Sequence, residues 1–158
     1  KYIYSQGFIS GLIATILFDL FNHSLNYAYN IKKPKWYLLG RYFIGYRQRR
    51  YFRYSLEDDE DEDNELLWGY IIHYIIGIIY GLLYVFINLL FFDYPSLLIA
   101  YSFGFITVLG AWCYLMPYAY NLGFFASKSD QQFNILAQNL IGHFIFGTGL
   151  FIGYYFSF

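Results

Sequence analysis

The sequence has little charge and a single cysteine, and each shortage excludes a class of protein. Only 13% of its 158 residues are charged while 58% are hydrophobic, a balance typical of membrane proteins. The lone cysteine, Cys113, excludes an internal disulfide framework, zinc fingers, thiolate-held iron–sulfur clusters and CxxC redox motifs. The chain also lacks an HExxH motif, a phosphate-binding glycine loop and a recognisable nucleophile motif, so we do not predict an enzyme.

One long apolar run without a charged residue extends from Leu66 to Phe92. As a helix it would be about 40 Å long, compared with about 30 Å of hydrocarbon in a bilayer, and it has no polar face. We therefore predict that it crosses a membrane. With the other apolar segments, the predicted spans are residues 4–29, 66–92, 96–118 and 133–156. The predicted fold is all-α: four transmembrane helices in a small bundle, forming a single membrane domain, residues 1-158, with one long inner loop.

That loop, residues 30–65, is first basic and aromatic and then acidic. Its basic residues are Lys32, Lys33, Lys35, Arg41, Arg47, Arg49, Arg50 and Arg53. Because they are most of the chain's Lys and Arg, the positive-inside rule places the loop in the cytoplasm or matrix. Basic side chains among aromatic rings predict an interfacial anchor that contacts anionic lipids rather than nucleic acid. The acids from Glu57 to Glu65 predict a solvated loop, with folding back onto the arginines as the alternative.

Small residues recur every fourth position inside the predicted spans. Gly69, Gly77 and Gly81 form such a series around His73, and Gly147 follows His143 at the same spacing. Small side chains at this spacing let the backbone of another helix come close. The predicted helix-packing positions are Gly7, Gly11, Gly69, Gly77, Gly81, Gly104 and Gly147.

A few polar side chains lie within the apolar spans, where ionisable groups are costly and usually point into the bundle. With the long loop on the inner side, all of them fall about 9–15 Å below the inner membrane surface. We therefore predict one buried polar layer, formed by Asp19, His23, His73, Thr107, Asn139 and His143. Within it, His73 and His143 are expected to face inward at the depth of Asp19.

Three functions of this layer remain open. The polar groups can hydrogen-bond across helices and fix their register. Alternatively, two histidines can ligate haem iron, or the histidines with Asp19 can bind a transition metal. A third possibility is a relay for protons or a path for a small solute. We favour the first, which predicts no cofactor and a structural or accessory membrane protein, free-standing or part of a larger complex. Its predicted partners are the lipid bilayer and other membrane subunits.

Several motifs resemble a family of bacterial inner-membrane proteins known as domain of unknown function 2938. They are GLIATILFDLF, GRYFIGYRQRRYFRY, GYIIHYIIGIIYG and NLIGHFIFGTGL, which together with Pro117 and Ser127 cover nearly the whole chain. The resemblance implies a four-span protein of a bacterial inner membrane, and it implies no activity. A mitochondrial inner membrane is the alternative location that the charge pattern leaves open. The chain departs from the family in its acidic run and in the Pro117-to-Ser127 turn. That turn is one residue longer and has Met116 where the family has glutamine.

Overall fold

The structure, a computed structural model, describes residues 2–48 and 58–158. Its regular elements in this part of the chain are helical. The α-helices are α1 (Ile3–Tyr29), α2 (Trp36–Arg47), α3 (Glu65–Phe91), α4 (Leu97–Gly110) and α5 (Gln132–Ser157). A π-helical segment (Ala111–Ala119) continues α4, and a short 3-10 turn (Phe124–Ala126) precedes α5.

Four of the helical stretches are long and apolar enough to cross a membrane. They are Ile3–Tyr29, Glu65–Phe91, Leu97–Ala119 and Gln132–Ser157. Each begins and ends within one residue of the span predicted from the sequence. The predicted all-α class with four span-capable helices is therefore confirmed.

The chain divides into two compact units. The first unit contains residues 1–33, 74–107 and 140–158, and the second contains residues 34–73 and 108–139. The single membrane domain proposed from the sequence stays a prediction.

In the first unit, glycines bring α1 close to both α3 and α5. A Cβ added to Gly81 of α3 would collide with the backbone of Gly7 and Gly11 on α1. On the other side of α1, a Cβ added to Gly149 would lie 2.5 Å from the Ala14 Cα atom. At least one of the two facing residues must lack a side chain where two helix backbones approach this closely.

The turn between α3 and α4 is held by Asn88, which is fully buried. Its Oδ1 accepts a hydrogen bond from the Ser96 N–H at 2.8 Å, and its Nδ2 donates to the Tyr94 carbonyl at 2.8 Å. One amide side chain thus satisfies backbone groups that the turn leaves unpaired. Asn88 had no predicted role, because its partners lie across the turn rather than along the helix.

The second unit contains a helix that the sequence did not predict. The connection 30–65 was expected to be a loop, but residues 36–47 form α2, whose Leu38, Leu39 and Tyr42 are buried. Helix α2 crosses α3 at Gly40 and Gly69, so closely that a Cβ on Gly40 would lie 2.7 Å from the Gly69 nitrogen. This apolar face and the glycine crossing give α2 a packing surface, which a solvated loop would not have.

The end of the third predicted span is π-helical rather than α-helical. Pro117 lies inside the segment Ala111–Ala119, and the Tyr120 N–H bonds to the Leu115 carbonyl at 2.9 Å. Proline lacks an N–H and its ring clashes with the preceding turn, so a regular α-helical pattern is interrupted near it. Short π-helical segments occur frequently at functional sites.

Candidate functional site

His143 on α5 is held by Thr107 of α4 within the first unit. Its Nδ1 lies 3.0 Å from the Thr107 hydroxyl oxygen, and that hydroxyl donates to the Gly104 carbonyl at 2.8 Å. Because the hydroxyl has a single proton, Nδ1 acts as the donor to the threonine oxygen. The ring of Phe18 meets the imidazole edge to face, with centroids 5.7 Å apart. These contacts fix both the tautomer and the orientation of His143.

Asp19 and His23 lie on α1, one helical turn apart. The side chain of Asp19 is buried, at 8% exposure. His23 is exposed, and its Nδ1 donates to the Asp19 backbone carbonyl at 2.8 Å. The prediction that His23 belongs to a buried layer is therefore corrected. Its own helix supplies the hydrogen-bond partner, so the imidazole does not have to reach into the core to find one.

His73 and Asn139 belong to the second unit. The His73 ring stacks on Trp36 of α2, with centroids 3.9 Å apart and an angle of 20° between the planes. Asn139 donates to the carbonyl of Ile135 on its own helix at 3.0 Å. Since the first unit holds Asp19, Thr107 and His143, a single layer that contains all the predicted residues stays a prediction.

Further buried polar side chains, which the sequence analysis did not single out, bond to helix carbonyls in the first unit. Ser10 of α1 donates to the Leu150 carbonyl of α5 at 2.6 Å. Gln6, one turn earlier, donates to the Ser157 carbonyl at 3.2 Å. The sequence signal was the pair Gly149 and Gly153, which is a second small-residue series and lies on the helix that accepts these bonds.

The predicted helix-packing glycines are all buried. A Cβ added to Gly104 would lie 2.7 Å from the His143 carbonyl oxygen, and one added to Gly147 would lie 2.9 Å from the Ala100 carbonyl oxygen. A Cβ on Gly77 would meet the hydroxyl of Thr15, and one on Gly69 would meet the carbonyl of Trp36. The space beside these glycines is therefore filled by neighbouring helices.

Arg41 is the buried centre of an ion-pair cluster in the second unit, in which Asp61 is exposed. Its side chain is only 2% exposed, so the prediction of an interfacial anchor at this position is wrong. Its Nε and Nη2 donate to the two carboxylate oxygens of Glu65 at 2.7 and 2.8 Å, and Nη2 also donates to Asp61 at 2.6 Å. Two parallel bonds to one carboxylate are the strongest geometry available to arginine. The hydrogen bonds with Glu65 raise the pKa of the Arg41 guanidinium above its ordinary value.

The remaining predicted basic residues divide into two groups. Lys32, Lys33, Lys35 and Arg47 are exposed, as an interfacial role requires. Arg49, Arg50 and Arg53 lie outside the described residues, as does Glu57. Of the two predictions for the acidic run, folding back onto an arginine holds for Asp61 and Glu65, since both bond to Arg41.

No metal centre is evident in the described part of the chain. Within residues 2–48 and 58–158, no three His, Cys, Asp or Glu side chains are grouped so that they could hold a metal ion. Cys113, which is partly buried, is a free thiol.

Comparison with known proteins identifies a family but no activity. The family model described as "Protein of unknown function (DUF2938)" matches residues 8–156, which confirms the family resemblance of the sequence motifs. No curated protein and no solved structure matches the chain.

Proposed function

We propose that this chain, which belongs to the DUF2938 family of proteins of unknown function, is an integral membrane protein with a structural or accessory role. The family match and the four span-capable helices support integration into a membrane. The proposed location is the inner membrane of a bacterium, with residues 30–65 on the cytoplasmic side and anionic lipids near the exposed lysines. Other membrane subunits are the proposed protein partners.

The observation that carries this proposal is the packing around His143. A haem ligand would need open space beside the imidazole, and the sequence offered Gly147 as the source of that space. In the first unit that space is taken, because the Ala100 carbonyl lies against Gly147 and the His143 carbonyl lies against Gly104. This close packing favours a structural role over a porphyrin site on this face of α5.

The hydrogen bonds between helices support a structural role. The Nδ1 atom of His143 is engaged by Thr107, and Ser10 and Gln6 donate to carbonyls of α5. Buried polar groups that bond across helices fix the register and rotation of those helices. A relay or solute path would instead need polar groups that are reached by water or by a transported ion.

The experiment is an absorption spectrum with metal analysis on the protein purified in detergent. We expect only the ultraviolet bands of aromatic residues and metal well below one equivalent per chain. A strong visible band, or one equivalent of a transition metal that is lost in a His143→Ala variant, would replace the structural role with a cofactor-binding role.

Proton conduction is tested separately in proteoliposomes that contain a pH-sensitive dye. We expect the same leak as in empty vesicles after a potential is imposed. A leak that depends on the protein and disappears in an Asp19→Asn variant would support the relay instead.

A further inference from the structure

Three tyrosine hydroxyls meet in the second unit, two from α2 and one from the π-helical segment. The Tyr42 oxygen lies 2.8 Å from the Tyr46 oxygen and 3.1 Å from the Tyr114 oxygen. The Tyr46 and Tyr114 oxygens are 3.3 Å apart. Each hydroxyl is therefore within hydrogen-bonding distance of both others. We call this group the tyrosine triangle.

The backbone explains why these side chains converge. Tyr42 and Tyr46 are four residues apart on α2, so they lie on one face of the helix. Tyr114 reaches the same point from the π-helical segment, where the turn is wider than in an α-helix. The rings of Tyr42 and Tyr46 pack edge to face with centroids 5.0 Å apart, which holds their hydroxyls together.

The triangle can stabilise a negative charge on one oxygen. A neutral phenol has one proton to donate, and a phenolate has none and only accepts. If one hydroxyl of the triangle loses its proton, the other two can both donate to the oxygen that carries the charge. Hydrogen bonds to the charged form of a group favour that form.

Burial and position relative to the span-capable helices decide which oxygen carries the charge. Tyr42 is only 4% exposed, and burial raises the pKa of its phenol. Tyr46 and Tyr114 are both partly exposed, at 38% and 44%, but Tyr114 lies within the span-capable stretch Leu97–Ala119, whereas Tyr46 lies outside all four. Hydrogen bonds from Tyr114 and then from Tyr42 lower the pKa of the Tyr46 phenol. The charge therefore belongs on Tyr46, where both water and the two neighbouring hydroxyls can solvate it.

We propose that Tyr46 is a site of covalent modification, at which its phenolic oxygen attacks an electrophilic sulfonyl or phosphoryl donor. Among the described residues, titratable side chains that bond to its hydroxyl include Tyr42 on its own helix and Tyr114 on the π-helical segment. The phenolic proton passes first to water. The oxygen then forms a bond to sulfur or phosphorus as the bond to the leaving group breaks, and the leaving group departs with that electron pair.

The test uses an arylsulfonyl fluoride on the protein purified in detergent, with labelled peptides quantified by mass spectrometry at several pH values. We expect Tyr46 to react faster than Tyr27, although Tyr27 is far more exposed, at 94%. The Tyr42→Phe and Tyr114→Phe variants should each slow labelling of Tyr46 by roughly threefold to tenfold, because each removes a hydrogen bond to the charged oxygen. In both variants, the labelling rate of Tyr46 should begin to increase at a higher pH than it does in the wild type.

Tyr118→Phe is the matched control, since its ring contacts Tyr114 at a centroid distance of 5.7 Å but its hydroxyl is outside the triangle. In this variant, the reagent should label Tyr46 at the wild-type rate. The proposal is overturned if Tyr46 reacts no faster than Tyr27, or if Tyr114→Phe behaves like Tyr118→Phe. Circular dichroism establishes whether each variant is folded. If the change at the buried Tyr42 prevents folding, the Tyr114→Phe variant, whose site is partly exposed, still tests the proposal.

Discussion

Arg41 and Glu65 form a two-bond ion pair between α2 and the first turn of α3. The guanidinium is almost completely buried, and the Glu65 side chain is 14% exposed. A carboxylate in the first turn of a helix also interacts favourably with the partial positive charge of the helix N-terminus. The pair therefore joins two elements of the second unit at the point where Gly40 and Gly69 let them touch.

The first prediction concerns this pair. Glu65→Gln should destabilise the protein by about 3 kcal/mol, because removal of one partner leaves a buried charge without its main counter-charge. Thermal unfolding in detergent, followed by circular dichroism, measures the effect. Glu60→Gln is the matched control, since Glu60 is an exposed acid of the same run. Equal melting temperatures for the two variants would mean that Arg41 does not depend on Glu65.

The burial of Arg41 could not be predicted from its surroundings in the sequence. Among the basic residues of the first connection, nothing local distinguishes Arg41 from Arg47, which is exposed. The difference arises from Glu65, which lies 24 positions later in the chain. A basic side chain becomes a core residue only when such a distant partner folds against it, and pattern analysis does not detect that pairing.

The four span-capable stretches, in contrast, were predicted to within one residue at each end, although α2 was not predicted. Their length and apolar composition are local properties, and the bilayer imposes a minimum length on each span. The candidate site was only partly predictable, because several of its contacts join residues that are far apart in the sequence. The glycine spacing indicated close packing, but the bond from Ser10 to Leu150 joins residues 140 positions apart, and the π-helical geometry near Pro117 has no periodic signature.

The second prediction tests the crossing of α1 and α3. Gly81→Leu should destabilise the first unit by about 3 kcal/mol, because the new side chain would meet the backbone of Gly7 and Gly11, which cannot move aside. The measurement is the loss of folded protein on heating in detergent. Ile79→Phe, which adds bulk at an exposed position of the same helix, should melt like the wild type. If both variants melt alike, α1 and α3 are not in contact at Gly81.

The third prediction concerns the hydrogen bond from Ser10 to the Leu150 carbonyl. Ser10→Ala should cost about 1 kcal/mol, a typical net value for one bond between helices. Ser24→Ala is the control, because the exposed Ser24 hydroxyl bonds to the Leu20 carbonyl within its own helix. Chemical or thermal denaturation of both variants gives the difference. A smaller loss for Ser10→Ala than for Ser24→Ala would contradict an interhelical role.

The fourth prediction concerns the buried Asn88. Asn88→Ala should destabilise the protein by about 2 kcal/mol, because the Ser96 N–H and the Tyr94 carbonyl would lose their partner. Asn134→Ala, at an exposed asparagine of α5, serves as the control and should be nearly neutral. The measurement is the melting temperature of each variant in the same detergent. If Asn88→Ala melts like the wild type, the turn is held by other groups.

The last prediction addresses the proposed topology, which rests on the positive-inside rule. In a Cys113→Ala background, a cysteine at Asp93, in the turn between α3 and α4, should react with a membrane-impermeant maleimide added to intact cells or spheroplasts. A cysteine at Ser127, beside Lys128, should react only after the membrane is permeabilised, because basic residues accumulate on the cytoplasmic side. Both positions are exposed in the structure, so a difference in labelling reports the side of the membrane rather than burial within the fold. External labelling at Ser127 with protection at Asp93 would reverse the orientation, and with it the side of the membrane proposed for the exposed Lys32, Lys33, Lys35 and Arg47.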